Sequence, residues 1–111
     1  MKLTIEALAA YLNQLYSGKA TEQSLMMKLV EEMGEVAEVL NKRAGFKASQ
    51  NENLTRELGE ELADVIHYTV AIAAINQIDL AQVMVRKDRI ASIKYHHPIN
   101  LEDFLEAFDQ K

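Results

Sequence analysis

Residues 29–38 read "LVEEMGEVAE". Successive residues of an α-helix stand about 100° apart, so each can be placed on a wheel from the sequence alone. With Glu31 at zero, Leu25, Leu29, Met33, Val36, Val39 and Leu40 fall within an arc of about 120°, the apolar stripe of an amphipathic helix. The same residues do not alternate as a strand requires. Glu32 falls inside the stripe, Glu35 and Lys28 on its border, and Glu31 and Glu38 further towards solvent. A helix with a core to fill therefore carries acid on its packing face.

Outward from this stretch the helical spacing of apolar residues continues, and no alternating run of β-branched residues interrupts it, so the class is all-α. Thr4 can cap a first helix reaching about Ser17, with Gly18 placed for a left-handed residue. Thr21 can cap a second helix reaching about Ala44, where Gly45 stops it. "GFKASQNEN" at residues 45–53 has no periodicity and reads as a mobile connection. Asn53 then caps a third helix from Leu54 to about Gln77. "DLAQ" at residues 79–82 is a capping-box sequence for a fourth, which runs to about Tyr95 and is broken by "HHP". Asn100 and Asp103 can start a short last helix in "LEDFLEAFD". Two long helices flanked by shorter ones predict an antiparallel four-helix-type bundle, completed by dimerisation or as a dimer of dimers.

The third helix repeats the anomaly of the second. With Glu61 at zero, Leu54, Leu58, Leu62, Val65, Tyr68, Ile72 and Ile75 span about −40° to 100°, so Glu61 lies within the apolar face. Asp64 is at its edge, whereas Glu60 and His67 point away. Uncompensated carboxylates on a packing face are costly, and several together repel one another until some take up protons. Lys28 or Arg56 could pair with them, or local bending could turn them outward. The remaining answer is a hard divalent cation, Mg²⁺ or Mn²⁺, which prefers carboxylate and water oxygens.

Composition bounds the function. With 111 residues, 49% hydrophobic and 26% charged, the chain is most simply one globular domain over residues 1–111. There is no cysteine, which excludes disulfide scaffolds and thiolate metal sites and makes the cytoplasm the expected location. Glu6, Asn13 and Gln14 interrupt the N-terminal apolar residues, so this segment reads as a helix rather than a signal peptide. The weakly polar run at residues 65–75 is far short of a bilayer span, so no membrane association is expected. A net charge of −5 argues against a nucleic-acid surface.

"EEMGE" (Glu31, Glu32, Glu35) followed, beyond residues 36–60, by "ELAD" (Glu61, Asp64) resembles the MazG-type all-α nucleoside triphosphate pyrophosphohydrolases, whose signature is E-E-x-x-E and then E-x-x-D. The resemblance runs from about Ser24 to Tyr95. It implies hydrolysis of the α,β bond of a (deoxy)nucleoside triphosphate to a monophosphate and pyrophosphate, a role in nucleotide-pool sanitation, and assembly as a homodimer or homotetramer. Carried over, it makes Glu32, Glu35, Glu61 and Asp64 the ligands of Mg²⁺ or Mn²⁺. Glu31 and Glu32 are the candidate catalytic pair, with Glu31 orienting a ligand or water or acting as base. The substrate's charge also calls for cations: Lys28, and from "VRKDRIASIKY" Lys87, Lys94 and Tyr95, ahead of Arg86 and Arg89. Family members commonly have a Lys-Tyr element similar to Lys94-Tyr95, although basic residues in a last helical turn are expected from the helix dipole alone.

Two departures stand out. Many relatives place an asparagine three residues before that lysine and a proline directly after the tyrosine, whereas this chain has Ala91 and then His96-His97-Pro98. Tyr11, Tyr16 and Phe46 could stack on a base or simply pack. Competing readings are a phosphoribosyl-ATP pyrophosphohydrolase and a non-catalytic helical dimerisation module. A di-iron bundle needs Glu-x-x-His on two helices, and only Asp64 to His67 comes near.

Overall fold

Thr4, Thr21, Asn53 and Asp79 each accept a backbone N–H of the first helical turn on a side-chain oxygen, and these caps set where the helices begin. The computed structural model describes residues 1–46 and 53–109. Its helices are α1 (Ile5–Tyr16), α2 (Glu22–Arg43), α3 (Leu54–Ile75), α4 (Leu80–Lys94) and α5 (Leu101–Asp109), and no strand occurs among the described residues. The chain is all-α. At the start of α2 the capping is reciprocal, with the Ser24 N–H donating to Thr21 Oγ1 at 3.0 Å and the Thr21 N–H to Ser24 Oγ at 3.1 Å. The expected connection at residues 45–53 lies mostly outside the described residues.

Each of α1 to α4 is followed by a residue in the left-handed region, where a glycine avoids the clash that a Cβ makes. After α1 and α2 that residue is the expected glycine, Gly18 with φ 74 and Gly45 with φ 81. After α3 and α4 it is Gln77, φ 53, and His96, φ 54. Around Gln77 the Ile78 N–H reaches back to the Ala73 carbonyl and the Gln77 N–H to that of Ala74, the two bonds of a Schellman cap. This is why α3 stops at Ile75, two residues before the expected Gln77.

The helices form two compact units, Met1–Ile78 and Asp79–Lys111. In the first, α3 is the central element, packed along α2 and also against α1. Its core is Leu12 of α1, Leu25 and Val39 of α2, and Val70, Ala71, Ala73 and Ala74 of α3. Full burial of a side chain such as Leu12 or Leu25 is worth roughly 1.5–3 kcal/mol. The run of small residues late in α3 offers α1 a surface it can approach closely. Met33 and Leu40, counted above in the apolar stripe of α2, are 54% and 46% exposed, because α3 covers only the side of that stripe holding Leu25 and Val39.

In the second unit α5 packs against α4. The Leu101 N–H donates to Asp88 Oδ2 at 2.6 Å, and Arg89 forms an ion pair with Glu102. Asn100 caps α5 by accepting from the Asp103 N–H at 2.8 Å. No single helix among the described residues is long and apolar enough to cross a membrane.

Candidate metal centre

The packing of α2 on α3 brings the two acidic stretches together. One carboxylate oxygen from each of Glu32, Glu61 and Asp64 lies within 4.8 Å of the other two. Glu32 and Glu61 are half-buried and Asp64 is exposed, the order expected from their places on the two wheels.

The electrostatics show what the cluster lacks. The Glu61 carboxyl is pushed up to about 7, first because it shares a hydrogen bond with Glu32, then through burial and through repulsion by Glu32, Glu35 and Asp64. Near neutrality the shared proton holds two acids together that would otherwise repel. The local cations are engaged elsewhere: Lys28 Nζ lies 3.4 Å from Glu31 and Arg56 Nε 3.1 Å from Glu60. Neither of the pairings weighed from sequence therefore neutralises the cluster. A site of hard oxygens with excess negative charge, holding a proton between two of them, fits a small divalent cation.

The other candidate residues fall as follows. Glu35 is exposed and outside the close triad, yet its charge reaches Glu61. Glu31 is exposed and bound to Lys28, an i,i+3 pair that is more than half exposed on both sides and so only weakly held. Lys87, Lys94 and Tyr95 are exposed members of the second unit. Arg89 is committed to Glu102.

Two features escaped the sequence. His67, which the wheel turns away from the apolar face, is half-buried, and its Nε2 is hydrogen-bonded to the Tyr16 hydroxyl at 2.8 Å. The side facing away from α2 faces α1. Burial, followed by the neighbouring Tyr68, pushes the Tyr16 hydroxyl above its ordinary value. Glu57 Oε2 is buried without a hydrogen-bond partner among the described residues, one turn before Glu61. Its place in the first turn of α3 lets the helix dipole offset part of that cost.

An all-α chain whose paired helices bring carboxylates together at their packing seam is the class that fold and site define. The profile of the MazG nucleotide pyrophosphohydrolase domain matches residues 20–89, and the chain belongs to that family. A curated relative, the uncharacterized protein YpjD of Bacillus subtilis (strain 168), is 31% identical over 71 residues, covering 64% of this chain and 62% of that protein's length. Among solved structures, that of iMazG from Vibrio DAT 722 superposes with a TM-score of 0.63 over 84% of this chain and 98% of that one. At 24% identity this second likeness concerns the fold.

Proposed function

We propose that the protein is a divalent-metal-dependent nucleoside triphosphate pyrophosphohydrolase that splits the α,β bond of (d)NTPs, releasing a monophosphate and pyrophosphate and serving to cleanse the nucleotide pool. The observation that carries this reading is the meeting of Glu32, Glu61 and Asp64 from two helices, with one carboxylate oxygen of each within 4.8 Å of the others.

Glu32, Glu35, Glu61 and Asp64 hold Mg²⁺ or Mn²⁺. A bound ion of this kind polarises phosphate oxygens and lowers the pKa of water. The chain's own residues do the rest by positioning and charge. Glu31, held only loosely by Lys28, orients the attacking water or takes its proton as the new P–O bond forms and pyrophosphate leaves. Lys28 of the first unit and, separately, Lys87, Lys94 and Tyr95 of the second are the groups offered to phosphate oxygens. The chain assembles as a homodimer or homotetramer, a reading supported by Met26, Val30 and Met33 of α2 and Leu62 and Ile66 of α3, each 45% exposed or more.

The test is a panel of NTPs and dNTPs with Mg²⁺, with products identified. Monophosphate and pyrophosphate are expected, and release of orthophosphate would exclude the α,β assignment. Glu32→Gln and Asp64→Asn should each lose at least about 100-fold in kcat/KM, roughly the scale at which a charge-stabilising group matters. Full activity in either variant removes the metal site.

A further inference from the structure

Where many relatives place a proline after the Lys-Tyr element, this chain makes a tight turn and returns. The Tyr95 N–H donates to the Ala91 carbonyl at 2.9 Å and closes α4. His96 takes the left-handed conformation, its N–H donating to the Ile93 carbonyl at 3.4 Å, and the His97 N–H donates to the Ser92 carbonyl at 2.9 Å. These last two bonds are those of a Schellman cap. The turn brings the His97 imidazole onto the Tyr95 ring, with centroids 6.1 Å apart and planes inclined by 28°. Lys94 Nζ lies 5.3 Å from the centroid of the same ring.

Tyr95 is 61% exposed, so its ring is held chiefly by local contacts rather than by a core. An exposed cation–π contact is a weak restraint alone. A stacked ring within the usual range of about 4.5–7 Å adds a second one, with a preferred geometry. Both act on the two side chains to which the functional reading gives the substrate's phosphates.

We infer that His97 is a positioning residue for nucleotide binding: by stacking on Tyr95 it holds the Tyr95–Lys94 pair in the arrangement that receives a phosphate group. The inference rests on the function proposed above, which gives Lys94 and Tyr95 their role. His97 touches no reacting atom in this scheme. Its contribution is to order, before the substrate arrives, groups that binding would otherwise have to order. It acts on binding and leaves the chemical step alone.

Steady-state kinetics on the full chain test it. His97→Ala should raise KM for the best nucleotide about 3- to 10-fold and leave kcat within about 2-fold, the pattern of a lost binding term. His97→Phe keeps the stack without the imidazole, and its KM should lie nearer wild type than His97→Ala. The ring-proton resonances of Tyr95 should move in His97→Ala and stay close to their wild-type positions in His97→Phe, while both variants melt like the parent. Unchanged kinetics in His97→Ala, a kcat effect as large as the KM effect, or failure of His97→Phe to recover KM each overturns the inference. If wild type neither hydrolyses nor binds nucleotides, the functional reading itself has failed and this one falls with it, whereas an active wild type with an indifferent His97→Ala sinks this inference alone.

Discussion

Glu61 keeps its proton to about neutral pH, and that has a sign. Its value in the folded chain lies above the ordinary glutamate value of the unfolded chain, so between the two the folded state binds the extra proton. The stability this group contributes is complete below the ordinary glutamate range and is lost as pH rises through about 7. Metal-free protein should therefore melt at progressively lower temperature as pH rises from about 5 to 8, and Mg²⁺ should reverse the fall, because a cation replaces the proton and binding releases it. In Glu61→Gln the amide can still donate a hydrogen bond but carries no charge to titrate. Thermal melts should show a flatter pH profile, a higher metal-free melting temperature and little response to Mg²⁺; an unchanged slope would remove Glu61 as its source. A second single-residue effect belongs to the end of α3. Gln77 occupies a left-handed position that costs a residue with a Cβ roughly 1–2 kcal/mol. Gln77→Gly should recover about 1 kcal/mol of that in urea unfolding, since glycine also gains freedom in the unfolded chain. The wheels identified Glu32 and Glu61 because helical spacing alone puts them among apolar neighbours. They could not show the shared proton, which depends on the approach of two side chains from different helices.

Element boundaries were legible wherever a cap is local. Thr4, Thr21, Asn53 and Asp79 start the first four helices as their side chains dictate, and Gly45 follows α2 in the left-handed conformation. α3 ran shorter than expected because a Gln, with no sequence mark of a left-handed residue, takes the place of a glycine. Contacts made outside the apolar stripes left no trace in local spacing. His67 reads as outward until α1 is in place, and Asp88 is one more charge in a basic stretch until α5 docks on it. That docking can be tested on its own element. Asp88 accepts the first helical N–H of α5, which would otherwise lack an intrahelical partner, so it caps a helix from a neighbouring one. Asp88→Ala should cost about 1–2 kcal/mol, the range of a lost cap, and should raise amide exchange in α5 well above that in α1 to α3. Equal protection of α5 in the variant would mean that Asn100 and the Arg89–Glu102 pair hold the helix without it.

For the molecule as a whole, the α2–α3 hairpin has two unlike edges. On the wheels, Glu35 and Asp64 stand to one side of the seam where Glu32 meets Glu61, while Val30, Met33, Leu40, Leu62 and Ile66 stand to the other. All five of these apolar residues are at least 45% exposed, so the single chain leaves a stripe of large apolar side chains running over both helices. Monomeric proteins seldom expose contiguous apolar surface on this scale without a use for it. A second hairpin laid on the same edge would bury it and leave the carboxylate edge free, which explains why a chain with acid at one edge of its seam has methionine and isoleucine at the other. Met33 also suits such a surface, being unbranched and able to fill irregular gaps. The prediction is specific to the edge. A charge placed there, as in Met33→Glu or Ile66→Glu, should convert a wild-type dimer or larger assembly into monomer, read by light scattering after size exclusion. A charge placed on the exposed outer face of α5, as in Ala107→Lys, should leave the assembly intact. A monomeric wild type, or an Ile66→Glu variant whose mass is unchanged, would mean that this edge is not the interface. Where the assembly does dissociate, Mg²⁺-dependent stabilisation of the monomer tells whether a single hairpin suffices to hold the cation. The meeting of Glu32, Glu61 and Asp64 within one chain predicts that it does.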